Sequence, residues 1–539
     1  MYTIIAGSLS IQAILVFSLG WVAYTALKYF HRRWRLSSYP LYNRDNAAST
    51  GNIIPIHELH TSAKILGDGF ATFGEKSIWR VNSSIGEVLI LAPEYAEDFR
   101  YGEGFDTAGY TERQLPITAP GYDPFIFASN EWRQRISDII LHRMTGSITY
   151  KKHEIAEELS NGLRKYWNDD PEWHELCLFD TLKRVMASTT QRIFTDIELC
   201  RNDEYIQSLL NYATLAMEDG TVLMQWPRFL HPTIGRIHPV GRKVQRALED
   251  IRVFLEPFAQ KRRAKMAAAL AEAARIGEKP PPVKDWVGWL EEKSEGKPYN
   301  VAAAMMTFSV ASFHSTTDFL CQMLCDLARH PEYIDLLKQE AADVLVDHTW
   351  TKASFSQLQL LDRCMKESQR MKPLSESKAK RDIRLHDGKV VPEGSLFVVS
   401  GHWMHDDNHY PNPDEFKPDR HRPLAAQESS SKVRERTAFT STSPEHLAWG
   451  FGKHACPGRF FASAVGKMLL IHILFKYDFK LAEGELDQHA YKFTTKMLVR
   501  RKAEEGPLNL DSFDAHDIFD GWAEKEDWEE AAIKFDGAM

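Results

Sequence analysis

The 539-residue sequence predicts a mainly α protein with small β-sheets (α+β), one large domain behind a single N-terminal transmembrane helix. Three observations predict it. Apolar residues recur at helical spacing through most of the chain. Strand-like patterning is confined to short stretches near residues 70–95 and 375–400. No linker divides residues 40–502. The composition, 43% hydrophobic and 26% charged, excludes wholesale disorder, a collagen-like fibre and a multi-span membrane protein. With 66 Lys and Arg against 74 Asp and Glu, no basic excess points to nucleic acid. Six scattered cysteines make neither a disulfide scaffold nor a CxxC zinc pair.

The chain carries no charge before Lys28, and Ile4 to Leu27 is mostly apolar. That suffices for one bilayer span, which needs about 20 residues. Lys28, Arg32, Arg33 and Arg35 follow, and positive flanks stay cytoplasmic, so the body is expected to face the cytosol. A cleaved signal peptide fits less well, because the apolar run is long and lacks a basic leader. Residues 1–27 read as the anchor and 28–45 as a basic flank, with Ser37, Ser38 and Pro40 as a hinge. Residues 46–502 form the body. From residue 503 on, twelve acids and two bases give the tail a formal charge of −10, leaving +2 for the rest. The tail reads as a solvated extension, with a docking or regulatory role as the alternative.

In the body, Ile78 to Leu91 alternates as strands do. Helical spacing covers Glu131 to Asn168, Leu178 to Cys200, Asp203 to Glu218, and Arg242 to Arg275 with a kink at Pro257. Val301 to Arg329 predicts a long apolar helix, N-capped by Asn300 and stopped by Pro331. At 1.5 Å rise it spans roughly 40 Å, enough to cross the middle of the protein.

The most informative segment is Ala448-Trp449-Gly450-Phe451-Gly452-Lys453-His454-Ala455-Cys456-Pro457-Gly458-Arg459-Phe460, after which an apolar helical pattern resumes. A cysteine just before a helix meets amide N–H groups and the positive end of the dipole, which favour thiolate over thiol. Glycine there lets a flat ligand approach. Such a thiolate suits a nucleophile or a single axial metal ligand; a buried structural cysteine is the plain alternative.

This segment resembles the haem-binding loop of the cytochrome P450 family: aromatic, two residues, Gly, one residue, Arg, one residue, Cys, one residue, Gly. Trp449, Gly452, Cys456 and Gly458 fall on its positions, with His454 where Arg is usual and Trp449 where Phe is usual. Its wording is similar to a large filamentous-fungal branch. Glu367-Ser368-Gln369-Arg370 and Phe416-Lys417-Pro418-Asp419-Arg420 resemble the family's Glu-x-x-Arg helix and later arginine. The resemblance implies a buried structural triad of Glu367, Arg370 and Arg420. It also implies haem b with Cys456 as proximal iron ligand, whose thiolate favours O–O cleavage. His314 stands where the family's long helix has an acid, and Ser315 where it has a threonine; Thr316 follows. The resemblance makes Ser315 or Thr316 the proton-delivering hydroxyl and His314 a relay or gate; hydroxyls bonded back to helix carbonyls are the plain alternative. The family's Trp-x-x-x-Arg fails after Trp132, where Ile136 holds the fourth place, leaving Arg133 and Arg135 as substitutes toward the haem propionates.

The implied activity is a monooxygenase on the endoplasmic reticulum. It uses dioxygen and NADPH-derived electrons from a flavoprotein reductase, with cytochrome b5 as a further donor, to oxidise an apolar secondary metabolite, a terpenoid such as a diterpene or indole diterpene. Lys453, Arg459 and Lys467 are expected to form a docking face for the acidic redox partner. The stretches Gly102 to Phe127 and Asn211 to Leu230 are expected to line the access route. Alternatives are a reductase-independent haem-thiolate rearrangement catalyst and a membrane-tethered haem sensor.

Overall fold

The computed structural model describes residues 20, 23–24, 26–43, 63–101, 104–106, 115–129, 132–279, 283–345, 350–371, 377–379, 381–422, 437–485, 492–503, 508 and 510. Most of the apolar run 4–27, most of 102–114, and nearly all of the tail from 503 lie outside them. Among the described residues no helix is long and apolar enough to cross a membrane.

Seven helices position the site. They are α1 (Trp132–Asp138), α2 (Thr145–Tyr166), α3 (Leu178–Phe194), α4 (Pro239–Ile276), α5 (Val301–Arg329), α6 (Gln359–Arg370) and α7 (Arg459–Lys476). A π-turn, Ile139–Met144, joins α1 to α2 and puts Ile140 beside Gly458. The pattern read over 178–200 breaks at Thr195, where Asp196 accepts from Leu199 N–H and starts a separate short helix. The 203–218 pattern is α-helical only to Thr214 and then continues as a π-turn. Pro257 lies inside the unbroken α4, whose first residue, Pro239, spends its missing N–H where the helix has no acceptor.

Helix α5 runs through the core against α3, α6 and α7. Asn300 Oδ1 accepts from Ala303 N–H at 3.0 Å, the predicted cap. Most of its residues are buried, yet in its middle Thr307, Val310, Ala311, Ser312, His314, Ser315, Asp318 and Phe319 are not, and Ala311 and Ser315 are exposed. Their three- and four-residue spacing is one helix face. An accessible stripe therefore runs along the middle of a core helix.

Strands β1 (Ile78–Ser83), β2 (Gly86–Leu91), β3 (Phe105–Asp106), β4 (His174–Cys177), β5 (Ser377–Ala379), β6 (Ile383–Arg384), β7 (Val390–Val391), β8 (Leu396–Val399), β9 (Tyr477–Leu481) and β10 (Lys496–Arg501) form three small sheets. The largest has the order β1-β2-β8-β5-β3, with β2 parallel to β8 and Val88 opposite Leu396. Its core of Trp79, Val81, Ile90 and Phe397 is separate from that around α5. The pairings β6-β7 and β4-β10-β9 complete the set; the sequence reading had no signal for the latter.

The basic flank is tied to the body on both sides of the break at Ser37, Ser38 and Pro40. Arg35 Nη1 lies 2.8 Å from both oxygens of Asp382, and Arg32 Nη1 donates to Gly394 O at 3.0 Å. Leu36 is buried, Tyr39 OH donates to Val390 O, and Arg80 N–H donates to Pro40 O. Arg35 thus pairs with an acid 347 positions away, which local patterning cannot reveal.

Candidate active site

The cysteine loop is built by its glycines. Gly450 (φ 75°) and Gly452 (φ 59°) adopt left-handed backbone, and a Cβ at Gly452 would lie 2.3 Å from Arg100 O. Lys453 N–H donates to that same carbonyl at 2.9 Å, and Cys456 N–H donates to Trp449 O at 2.7 Å. Trp449 Nε1 donates to Phe439 O at 2.8 Å; Phe439 in turn stacks on Phe319 of α5 at 4.8 Å. The loop is thus fixed against the core helix before Cys456 is reached.

Cys456 lies just ahead of α7. Burial pushes its thiol up, opposed by hydrogen bonds from the Gly458 and Arg459 amides and by the Arg459 guanidinium. Arg459 Nη1 also donates to Cys456 O at 2.9 Å. Cys200, Cys321, Cys325 and Cys364 are buried. Cys177, at the start of α3, has two amides as well, but its neighbour is the carboxylate of Asp180, and its Sγ donates to Phe493 O. A cation beside one cysteine and an acid beside the other make Cys456 the site suited to hold a thiolate.

Glu367, Arg370 and Arg420 meet. Arg370 Nε and Nη2 donate to Glu367 at 2.9 and 3.0 Å, and Arg420 Nε donates to it at 2.9 Å. The Glu367 and Arg370 side chains are completely buried. Arg370 also donates to the carbonyls of Met404 and Pro413. Sequence reading missed His421, whose Nε2 lies 2.8 Å from Glu367 Oε2. Burial alone would raise the Glu367 carboxyl, but hydrogen bonds from His421 and Arg370 and the Arg370 charge hold it at about 2.

On α5, Ser315 is exposed on the open stripe, while Thr316 is buried on the other side. Ser315 Oγ donates to Ala311 O at 2.9 Å. The His314 ring meets Phe179 edge-on at 5.8 Å and Phe493 at 6.4 Å. Trp132 is buried against Tyr299, with Arg135 stacked over its ring at 5.3 Å. Arg135 donates to Lys293 O and pairs with Glu295 at 3.3 Å. Arg133 is half-buried with no hydrogen bond or ion pair to any described residue, and burial lowers its guanidinium. His454 is half-buried in the 3-10 turn Gly452–His454.

The expected docking face does not form. Lys467 is 3% exposed; its Nζ lies 2.9 Å from Asp362 and donates to Phe355 O at 2.7 Å. Arg459 is turned to Cys456, and only Lys453 of the three is exposed. A lysine in an apolar helix was read as a surface charge because its partner lies 105 residues away.

The cytochrome P450 family model matches residues 61–505. The chain belongs to the cytochrome P450 family. It is 53% identical over 518 residues to the fusicoccin H C-9 hydroxylase of Phomopsis amygdali, covering 95% of this chain and 97% of the relative. It is 35% identical to the cytochrome P450 monooxygenase bsc5 of Alternaria brassicicola, over 83% of this chain and 85% of that one. It is 33% identical to the fusicocca-1,10(14)-diene-8beta,16-diol C-9 hydroxylase of P. amygdali, over 80% and 86%. This P450 is a haem-thiolate monooxygenase supplied with electrons by a reductase. The residues present fit haem. At Gly458 φ is −84°, and a Cβ would lie 3.9 Å from Cys456 Sγ and 3.8 Å from Ile140, which is ordinary contact. Protein packing does not require glycine there, and the missing side chain would leave room for a planar group beside Cys456.

Proposed function

We propose that Cys456 is the iron ligand, and that the enzyme hydroxylates an unactivated carbon of a polycyclic diterpenoid related to fusicoccin H. The environment of Cys456 carries the first part: two amides and a guanidinium converge on one thiol at a helix start. Similarity to the fusicoccin H C-9 hydroxylase over 95% of the chain supports the second. Bound haem supplies the activation of dioxygen and the insertion of one oxygen atom.

The protein's own residues then have distinct tasks. The Gly458 and Arg459 amides stabilise the anionic sulfur. Arg133, a half-buried guanidinium with no hydrogen bond or ion pair to any described residue, is suited to a propionate; Arg135 is already committed to Glu295. Ser315 Oγ holds a proton on the open stripe, and His314, between two phenyl rings, meters its supply. Glu367, Arg370 and Arg420 keep the loop in register.

The apolar run 4–27 and its basic flank support anchoring in the endoplasmic reticulum membrane with the body in the cytosol, where a membrane-bound reductase, and cytochrome b5 as a second donor, deliver electrons. The experiment is the carbon monoxide difference spectrum of the reduced protein beside Cys456→Ala, followed by turnover of fusicoccin H with reductase and NADPH. A red-shifted Soret band in the wild type alone, then an NADPH-dependent hydroxylated product, is the expected result. An unshifted band sinks the assignment of Cys456; turnover without NADPH moves the reading to a rearrangement catalyst.

A further inference from the structure

The carboxylate of Glu367 accepts five hydrogen bonds. Oε1 takes Arg370 Nη2 at 3.0 Å, Arg420 Nε at 2.9 Å and Lys417 N–H at 3.1 Å. Oε2 takes Arg370 Nε at 2.9 Å and His421 Nε2 at 2.8 Å. Three of the five donors come from one short segment, Lys417 to His421, whose end is a 3-10 turn. Without His421, Oε2 would keep a single donor in a fully buried site.

His421 also touches the chain that leads to the cysteine. Its ring meets that of His446 edge to face, at 6.3 Å and 82°. His446 is 1% exposed; its Nε2 faces Lys366 O at 3.3 Å, and its buried Nδ1 has no hydrogen-bond partner among the described residues. The His446 ring is therefore oriented by one carbonyl of α6 and by its edge-to-face contact with His421. Backbone bonds between Ser443 and His446 close the turn there, and the chain then runs through Trp449, whose carbonyl accepts from Cys456 N–H.

We propose that His421 is a positioning residue for the Cys456 loop: it completes the Glu367 cluster and, through His446, ties that cluster to the turn from which the loop departs. Burial lowers both imidazoles from the ordinary histidine value, and facing a carboxylate that can only accept, His421 Nε2 is the donor. The inference rests on Cys456 being the iron ligand. Failure of that reading is visible separately, as a wild type without the red-shifted band.

The test compares His421→Phe, His421→Gln, His446→Phe and the Phe/Phe double variant as full-length holoenzymes. The readout is the half-life of the red-shifted carbon monoxide band on mild warming, with limited proteolysis within residues 437–458 of the haem-depleted chains. His421→Phe keeps a ring and loses the donor. It should shorten the half-life roughly ten- to a hundredfold, the factor equivalent to one hydrogen bond to a charged group. His421→Gln, which keeps an N–H donor, should recover most of that loss. His446→Phe should shorten it too, and the double variant should be no worse than the more damaged single one. If His421→Phe yields no haem protein, a band in His421→Gln supports the proposal and its absence overturns it. Equal damage in the Gln and Phe variants, a wild-type half-life in His421→Phe, or additive losses would each overturn it.

Discussion

Ser368 Oγ donates to Asp326 Oδ2 at 2.7 Å and fastens the end of α5 to the helix that carries Glu367. Gln322 Nε2 donates to the other oxygen at 2.8 Å. Burial nevertheless pushes the Asp326 carboxyl up to about 7, against the pull of Ser368, Gln322 and Arg329. A carboxyl raised above its unfolded value of about 4 favours the fold while protonated. Its contribution is complete below about pH 4 and is lost as pH rises to the folded value. Stability should therefore fall between pH 5 and 7 by up to about 1.4 kcal/mol per unit from this group. Asp326→Asn should remove that slope, read as Tm at pH 5, 6 and 7.

Lys467 and Asp362 form the second buried ion pair of the site, joining α7 to α6. Asp362 also accepts from Phe439 N–H at 3.3 Å, in the chain that supports Trp449. Lys467→Met strands the carboxylate and should cost about 3–5 kcal/mol in denaturant unfolding. Adding Asp362→Leu should restore part of that loss, since no charge is then left unpaired. Reductase affinity should be little changed in variants that still bind haem.

Ser315 and Thr316 should separate by coupling. Ser315 stands on the open stripe and Thr316 on the packed side. Ser315→Ala should divert NADPH-derived electrons to peroxide and lower product per NADPH by about tenfold or more, in the range of a lost acid–base group. Ser315→Thr should retain coupling. Thr316→Ala should chiefly lower Tm. The ratio of peroxide to product checks all three, and uncoupling by Thr316→Ala alone would reverse the assignment.

Arg133 and Arg135 should differ in what they hold. Arg133→Ala should weaken haem retention, measured as the rate of haem transfer to an apoglobin acceptor, with little effect on the haem-free fold. Arg135→Ala breaks a pair with the exposed Glu295, the bond to Lys293 O and the stack on Trp132, and should lower Tm without releasing haem faster.

Some of this was legible in residue order. The span Val301–Arg329, its Asn300 cap and its stop at Pro331 follow from local rules, because helix ends are written in adjacent residues. The glycines and proline around Cys456 likewise declare a tight loop. Glu367 and Arg370 share a helix face, but only the family resemblance points to Arg420. His421 carries no periodic signal, and its role comes from a turn that folds it onto a residue 54 positions earlier. Lys467 shows the opposite failure: a lone charge looks solvated until a distant acid is packed against it. The sheet β4-β10-β9 was missed because its strands are short and drawn from distant parts of the chain.

The fastening of the basic flank decides where the protein can be shortened. Lys28 pairs with Glu393 at 3.5 Å, Arg32 and Arg35 grip Gly394 and Asp382, and Leu36 and Tyr39 pack on the smaller core. A polypeptide starting at Lys28 keeps every one of these ties. One starting at residue 46 discards them all and uncovers apolar surface beside β1 and the β6-β7 hairpin. The two preparations would share one catalytic centre and differ in solubility and shelf life, the shorter being the poorer reagent for crystallisation or biocatalysis.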